Sequence, residues 1–82
     1  MEDLEQYIKM ELIEKDIFPR RMNMNARGDS TTYYEGIGIK VQIDCDYTGE
    51  ISISWHKENE DNGHWKWVHN KEDINKVLEE VG

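Results

Sequence analysis

Apolar and polar residues alternate strictly between Ile37 and Tyr47, and this pattern limits the possible folds of the chain more than any other. A period of two residues places neighbouring side chains on opposite faces of a β-strand. The alternation resumes over Ile51–Trp55, beyond a turn at Tyr47-Thr48-Gly49. The two segments predict an antiparallel hairpin with a fixed register, because a slip by one residue would turn its apolar face towards solvent.

A third strand is predicted by the segment HWKWVH, residues 64–69, which follows a turn centred on Asn62-Gly63. Trp65 and Trp67 alternate with polar residues there and share one strand face. Large aromatic side chains are usually well buried in small domains. We therefore expect Trp65 and Trp67 to join Trp55 in the hydrophobic core.

Helical patterns precede and follow the predicted strands. Asp3 and Gln6 form a capping-box pattern, and apolar residues then recur at helical spacing, which predicts a helix from residue 3 or 4 to about residue 15. Phe18-Pro19 is expected to end this helix, since the residue before a proline disfavours helical backbone. Asn70 is the predicted cap of a second helix, whose apolar stripe comprises Ile74, Val77, Leu78 and Val81.

The segment between the first helix and the hairpin has no clear period. Residues 19–32 are rich in Asn, Ser, Thr and Gly, a composition that is typical of a long connecting loop. We predict a single α+β domain over residues 1–82, with the element order α-β-β-β-α. Its sheet is expected to have three antiparallel strands, with both helices packed on one face.

The net charge of the chain is strongly negative. Eighteen acidic and ten basic residues give a formal charge of −8 in 82 residues. A field of this sign disfavours direct binding to nucleic acid or anionic membranes and attracts basic protein surfaces, and it also keeps a small domain soluble. One cysteine, Cys45, and the lack of a long apolar run or a signal-peptide pattern favour the cytoplasm.

The motifs that would carry chemistry are incomplete. Residues 44–49, DCDYTG, match the first half of a calcium-binding EF-hand loop, yet Trp55 stands where that loop requires a glutamate. Ser52, Ser54 and His56 share a strand face, but they lie about 7 Å apart along a flat sheet on which no pocket is expected. We therefore predict no metal, no cofactor and no catalytic activity.

Acidic residues are concentrated around the predicted hairpin, and Lys57 is the only basic residue between Val41 and Trp65. Carboxylates spaced along a hairpin can imitate the phosphates of nucleic acid for a basic protein. The predicted partner-binding residues are Asp44, Asp46, Glu50, Glu58, Glu60 and Asp61. Arg20, Arg21 and Arg27 are expected to add a second contact that orients the partner.

In length, acidity and element order the chain resembles small phage-encoded anti-CRISPR proteins, and its element order is also that of the double-stranded-RNA-binding domain. The second helix starts with NKED, residues 70–73, without the basic cluster that the RNA-binding family places there. The anti-CRISPR resemblance implies a non-catalytic inhibitor that occupies the nucleic-acid groove of a basic protein, and we expect it in the cytoplasm of a host bacterial cell as a monomer or homodimer. The alternative is a structural or assembly module, with a homodimer as one form, whose acidity serves only solubility.

Overall fold

Five strands and two helices make up the chain in the computed structural model, which describes residues 3–82. In chain order they are α1 (Leu4–Glu14), β1 (Phe18–Met24), β2 (Ser30–Gly36), β3 (Ile39–Cys45), β4 (Ile51–Lys57), β5 (His64–Val68) and α2 (Lys71–Val81). The strands form one antiparallel sheet in which each strand pairs with the next, in the order β1-β2-β3-β4-β5. The architecture is α+β with the order α-β-β-β-β-β-α, so the expected three-stranded sheet is wrong.

The two additional strands, β1 and β2, occupy most of the segment expected to be a loop, residues 19–32. β1 is exposed at every residue, so burial imposes no alternation on its sequence. β2, with the sequence STTYYEG, is rich in β-branched and aromatic residues, but Tyr34 is its one fully buried residue. Only the short turn over residues 25–29 remains irregular, and the Asn25 side chain stabilises it by accepting hydrogen bonds from the backbone N–H groups of Arg27, Gly28 and Asp29.

The outer strand β1 is irregular near its start. Its pairing with β2 shifts register between Pro19 and Arg21, which is the signature of a β-bulge. Proline has no N–H to donate to a neighbouring strand. Both features fit a strand at the edge of a sheet, where one side of the backbone is not paired.

Side-chain caps begin both helices as the sequence predicts. The Asp3 carboxylate accepts a hydrogen bond from the Gln6 N–H at 3.1 Å, and the Asn70 side chain accepts one from the Asp73 N–H at 2.8 Å. α1 ends at Glu14, before the predicted proline signal, and the chain turns through Asp16 at a φ of 61°. Neither helix within residues 3–82 is long and apolar enough to cross a membrane.

The hydrophobic core lies between the helices and one face of the sheet. α1 contributes Ile8 and Leu12 to it, and α2 contributes the predicted stripe Ile74, Val77, Leu78 and Val81. The buried sheet residues share one face, as Tyr34, Val41 and Trp55 show by aligning across β2, β3 and β4. The opposite face of the sheet carries no helix within residues 3–82, and we refer to it as the open face.

The expected burial of all three tryptophans is wrong. Trp55 is 3% exposed, whereas Trp65 and Trp67 are 53% and 47% exposed. Across β4 and β5, Ser54 pairs with Trp65 and Ser52 pairs with Trp67. Because directly paired residues project from the same face of a sheet, both β5 tryptophans lie on the open face.

The hairpin predicted from Ile37 onwards starts two residues later than expected. Ile37 and Gly38 form the turn between β2 and β3, and the Ile37 side chain is fully exposed. Gly38 has a φ of +73°, a backbone conformation that side-chain-bearing residues seldom adopt in such a turn. The alternation of apolar and polar residues therefore begins two residues before β3 does.

Candidate binding surface on the open face

The open face presents three rows of side chains that run across the strands. Strand register defines the first row as Thr31, Asp44, Ser52 and Trp67, the second as Tyr33, Gln42, Ser54 and Trp65, and the third as Glu35, Lys40 and His56. Arg21 of β1 pairs with Tyr33 and extends the second row. This face combines aromatic rings, amide and hydroxyl groups, and charges of both signs.

Two tryptophans dominate the β5 side of the open face. The rings of Trp65 and Trp67 meet edge to face, with centroids 5.0 Å apart and planes inclined by 78°. Ser52, the partner of Trp67 on β4, is only 4% exposed. The tryptophan pair therefore covers part of the sheet while leaving about half of its own surface to solvent.

A cation and an aromatic ring lie on the β1 side of the same face. The Arg21 guanidinium lies over the Tyr33 ring, 4.6 Å from its centroid. Between this pair and the β4–β5 end of the sheet is an open depression of about 630 Å³, lined among others by Arg20, Lys40, Ser54 and His56. The face is therefore concave in its middle, beside the Tyr33 ring.

The six predicted acidic residues are split between opposite ends of the sheet. Asp44 lies near the end of β3, Asp46 and Glu50 lie between β3 and β4, and Glu58, Glu60 and Asp61 lie in the β4–β5 loop. β4 separates these groups with seven residues, which span about 20 Å at roughly 3.3 Å per residue. The structure does not gather the six carboxylates into one continuous surface.

The carboxylates of Asp44 and Asp46 accept hydrogen bonds from other groups of the protein. Asp44 accepts hydrogen bonds from the Thr31 hydroxyl at 2.6 Å and from the Gln42 amide at 3.0 Å. Asp46 accepts hydrogen bonds from the hydroxyl and N–H groups of Thr48 and from the Glu50 N–H. The hydrogen bond from the Thr48 side chain is the main cause that lowers the pKa of Asp46, and the two backbone donors lower it further. Asp44 therefore stabilises the sheet near the end of β3, and Asp46 stabilises the turn between β3 and β4.

The remaining acidic residues are more accessible. Glu50, Glu58 and Asp61 are exposed, and their side chains form no hydrogen bond or ion pair within residues 3–82. Glu60 lies 3.1 Å from the His64 Nε2. Of the six predicted acidic residues, Glu50 at one end of the sheet and Glu58 and Asp61 at the other are therefore available to a basic partner.

The three predicted arginines also separate into two places. Arg20 and Arg21 lie on β1 beside the depression. Arg27 lies in the β1–β2 turn, where it forms an ion pair with Asp29 at 2.9 Å and lies over the Tyr47 ring. Hydrogen bonds from Asn25, first, and from Arg27 lower the pKa of Asp29. Arg27 therefore stabilises a turn, and only the β1 arginines face the open surface.

Charge on the open face is close to balanced although the chain as a whole is acidic. Strand register places Arg21 and Lys40 on this face together with Glu35 and Asp44, and Arg20, at the bulge of β1, borders the depression. Much of the negative charge is instead carried by the two helices and the strand ends. The sequence pattern points to the acids rather than to the aromatic centre. The signal for that centre is the position of Val68, whose alignment with Ile51 sets the orientation of β5.

No three His, Cys, Asp or Glu side chains converge in the described part of the chain as a metal site would require. No protein-family model, curated protein or solved structure matches the chain. Function must therefore be inferred from the chemistry of the surface itself.

Proposed function

We propose that this protein acts without catalysis, by binding a basic, nucleic-acid-binding protein through the open face of its sheet. The observation that carries the proposal is the position of Trp65 and Trp67, which stand side by side on this face and are each about half exposed. Exposed tryptophan is unfavourable in water, and a second surface that covered the pair would remove this penalty.

The residue types on the open face support a protein partner. Trp, Tyr and Arg are the residues most enriched at the energetic centres of protein interfaces, and here Trp65, Trp67, Tyr33 and Arg21 lie on one surface. A charge-balanced aromatic centre with charged residues at its periphery matches the usual division of an interface into core and rim. A polyanionic nucleic acid would instead be repelled by the net charge of −8.

The acidic ends of the sheet support a basic partner. Glu50 at one end, and Glu58 and Asp61 at the other, can meet Lys and Arg on either side of a bound surface. Complementary charge at an interface rim increases the association rate and selects the partner. Occupation of a basic groove would exclude its nucleic acid, and the CRISPR effector nucleases implied by the resemblance are one class of such partners.

The test is affinity capture from bacterial lysate with the tagged protein and matched variants. One variant removes the aromatic centre, Trp65→Ala with Trp67→Ala, and a second reverses charge at the sheet ends, Glu50→Lys, Glu58→Lys and Asp61→Lys. The control makes the same charge change on the helices, at Glu14, Glu79 and Glu80, which are also exposed.

We expect the wild type and the control to retain a basic nucleic-acid-binding protein, and both test variants to lose it. Binding should weaken as salt rises to about 0.5 M, because the Debye length falls to a few Å. Equal capture by all variants, or capture of no basic protein by the wild type, would contradict the proposal.

A homodimeric assembly module is the second candidate, and the exposed apolar side chains favour it. Besides the tryptophans, Met22 and Met24 on β1 are 53% and 70% exposed. Self-association driven by apolar surface persists or strengthens at high salt. Sedimentation equilibrium at low and high salt separates the two candidates, since only an assembly module is expected to be dimeric under both conditions.

A further inference from the structure

We propose that the depression in the open face is a binding site for a small organic phosphate of about nucleotide size. This inference goes beyond the proposed function, because its site requires no protein partner, although it shares Arg21 and Tyr33 with the proposed interface. It concerns the site lined by Arg20, Arg21, Lys40 and His56 together with Tyr33 and Ser54.

Three basic side chains line the depression, and none of them forms an ion pair within residues 3–82. Arg27 and Lys76 form ion pairs with Asp29 and Glu72, whereas Arg20, Arg21 and Lys40 form none within residues 3–82. Glu35 also lines the depression and aligns with Lys40 across the strands, yet no ion pair joins them. Three basic side chains around one concave site, in a chain of charge −8, provide a local site for an anion.

The groups that line the depression favour a phosphate monoester over other anions. A phosphate monoester carries a charge of about −1.5 to −2 and three acceptor oxygens, so it can engage several cations at once. Arginine binds phosphate through two parallel N–H groups, and lysine binds it as a point charge. The Ser54 hydroxyl and the His56 ring add hydrogen-bonding groups to the same site. A carboxylate, with a single charge, would use fewer of these groups.

One of the cations is preorganised for binding. The Arg21 guanidinium lies against the Tyr33 ring at 4.6 Å, and Tyr33 is itself partly buried in the sheet. Stacking on a ring restricts the guanidinium before any ligand arrives, so less side-chain entropy is lost on binding. The six residues named above also lie on four strands, β1 to β4, rather than on loops.

The size of the depression fits a nucleotide. The depression measures about 630 Å³, within the range of roughly 300 to 1,000 Å³ that small-molecule sites occupy. A phosphate ion alone would fill only a small part of it. A single nucleotide also places only one phosphate group in the overall negative field, whereas a nucleic acid strand would place many there.

The experiment is a titration of the folded, ¹⁵N-labelled protein followed by ¹H–¹⁵N NMR spectra at constant ionic strength. The probes are adenosine monophosphate, adenosine and inorganic phosphate. We expect saturable shifts at Lys40, Gln42, Ser54 and His56 with adenosine monophosphate, weaker shifts at the same residues with phosphate, and none there with adenosine.

Substitutions of single basic residues test whether the cations of the depression bind the phosphate. Lys40→Ala should weaken adenosine monophosphate binding by about tenfold, the effect of losing one charge-assisted contact. Lys76→Ala makes the same charge change on α2 and should alter binding by less than about twofold. Arg21→Lys keeps the charge but loses the planar guanidinium group, so it should also weaken binding. This variant provides a second test if Arg21→Ala unfolds the edge strand.

The proposal is overturned by any of three results. The first is the absence of saturable shifts up to about 10 mM adenosine monophosphate, which corresponds to negligible affinity. The second is binding of adenosine that equals binding of its monophosphate. The third is an equal loss of affinity in Lys40→Ala and Lys76→Ala, which would show that only the overall charge matters.

Discussion

Trp65 contacts Trp67 edge to face on the open face, while Trp55, on the neighbouring strand β4, is almost fully buried beneath the helices. Edge-to-face pairs contribute about 0.5–1.5 kcal/mol beyond the area that they bury. The three tryptophans of this small domain therefore differ in role: one fills the core, and two form a surface.

The tryptophans should differ in their effects on stability. Trp55→Ala removes a core side chain and is expected to lower the free energy of unfolding by about 3–5 kcal/mol. Trp65→Ala removes a half-exposed ring and should lower it by about 1–2 kcal/mol. Urea denaturation followed by circular dichroism measures both values, and equal losses would contradict the different placement of the two rings.

The cap of α2 should be measurable in the same way. Asn70→Ala leaves the Asp73 N–H without its side-chain acceptor and is expected to destabilise the fold by about 1 kcal/mol. Asn70→Asp keeps an acceptor at the same position, so its stability should stay close to that of the wild type. A loss in Asn70→Asp as large as that in Asn70→Ala would show that the hydrogen bond is not the cause.

Gly36 is required by close packing rather than by backbone conformation. A Cβ at this position would lie 2.8 Å from Ile17 Cγ1 and 3.3 Å from the Asp16 carbonyl oxygen, so Gly36→Ala should cost about 1–3 kcal/mol through overpacking. Gly63→Ala is the matched control, because its Cβ would meet nothing closer than 3.7 Å. Its stability should change by no more than about 0.5 kcal/mol, and a comparable loss in both variants would be inconsistent with this explanation.

The Asp46 turn should make stability depend on pH in the acidic range. Hydrogen bonding, chiefly from Thr48, lowers the pKa of Asp46 in the folded protein below the unfolded value of about 3.9. The folded state then binds fewer protons than the unfolded state, so this contribution is complete above the unfolded pKa and is lost as pH falls through the folded pKa.

The melting temperatures of the wild type and Asp46→Asn at pH 6 and pH 3 test this prediction. Asparagine can still accept the turn hydrogen bonds but does not titrate, so the variant should lose less stability on acidification than the wild type. Asp61→Asn, in an exposed loop, is the control and should follow the wild type. An identical acid loss in Asp46→Asn and the wild type would exclude a contribution from Asp46.

The Cys45 thiol should react slowly. Burial raises the pKa of Cys45, and the negative charges of Glu5, Asp46 and Asp3 raise it further. Because the thiolate is the reactive species, alkylation by iodoacetamide at pH 8 should be slower in the folded protein than in urea. Glu5→Gln should accelerate the folded reaction and Glu79→Gln should not, whereas equal folded and unfolded rates would contradict the prediction.

Sequence patterns predicted the elements that have one buried side. β3, β4 and α2 alternate or repeat because Val41, Ile53 and Ile74 must reach the core. β1 has no buried residue, so nothing in its sequence distinguishes it from a loop; it is a strand because β2 provides a partner. The fold was therefore predictable only where burial shapes the sequence.

The candidate site was harder to predict because it depends on orientation and on distance across the sheet. In β5, Val68 enters the core, and the alternation places Trp65 and Trp67 on the other face. The size and apolar character of two tryptophans nevertheless favour the opposite orientation, with both rings in the core. The acids around Asp46 and Glu58 are close in sequence. Successive turns of a meander nevertheless lie at opposite ends of the sheet, and this separates the two groups.

The edge formed by β1 limits how the protein can assemble with others. An unpaired edge strand is a template on which strands from other molecules can add, ultimately as fibres. Pro19 and the bulge that follows it leave only Arg21–Met24 in regular register, which is shorter than a typical strand of about five or six residues. The irregular start of β1 therefore shortens the stretch of this edge to which a strand of another molecule could add.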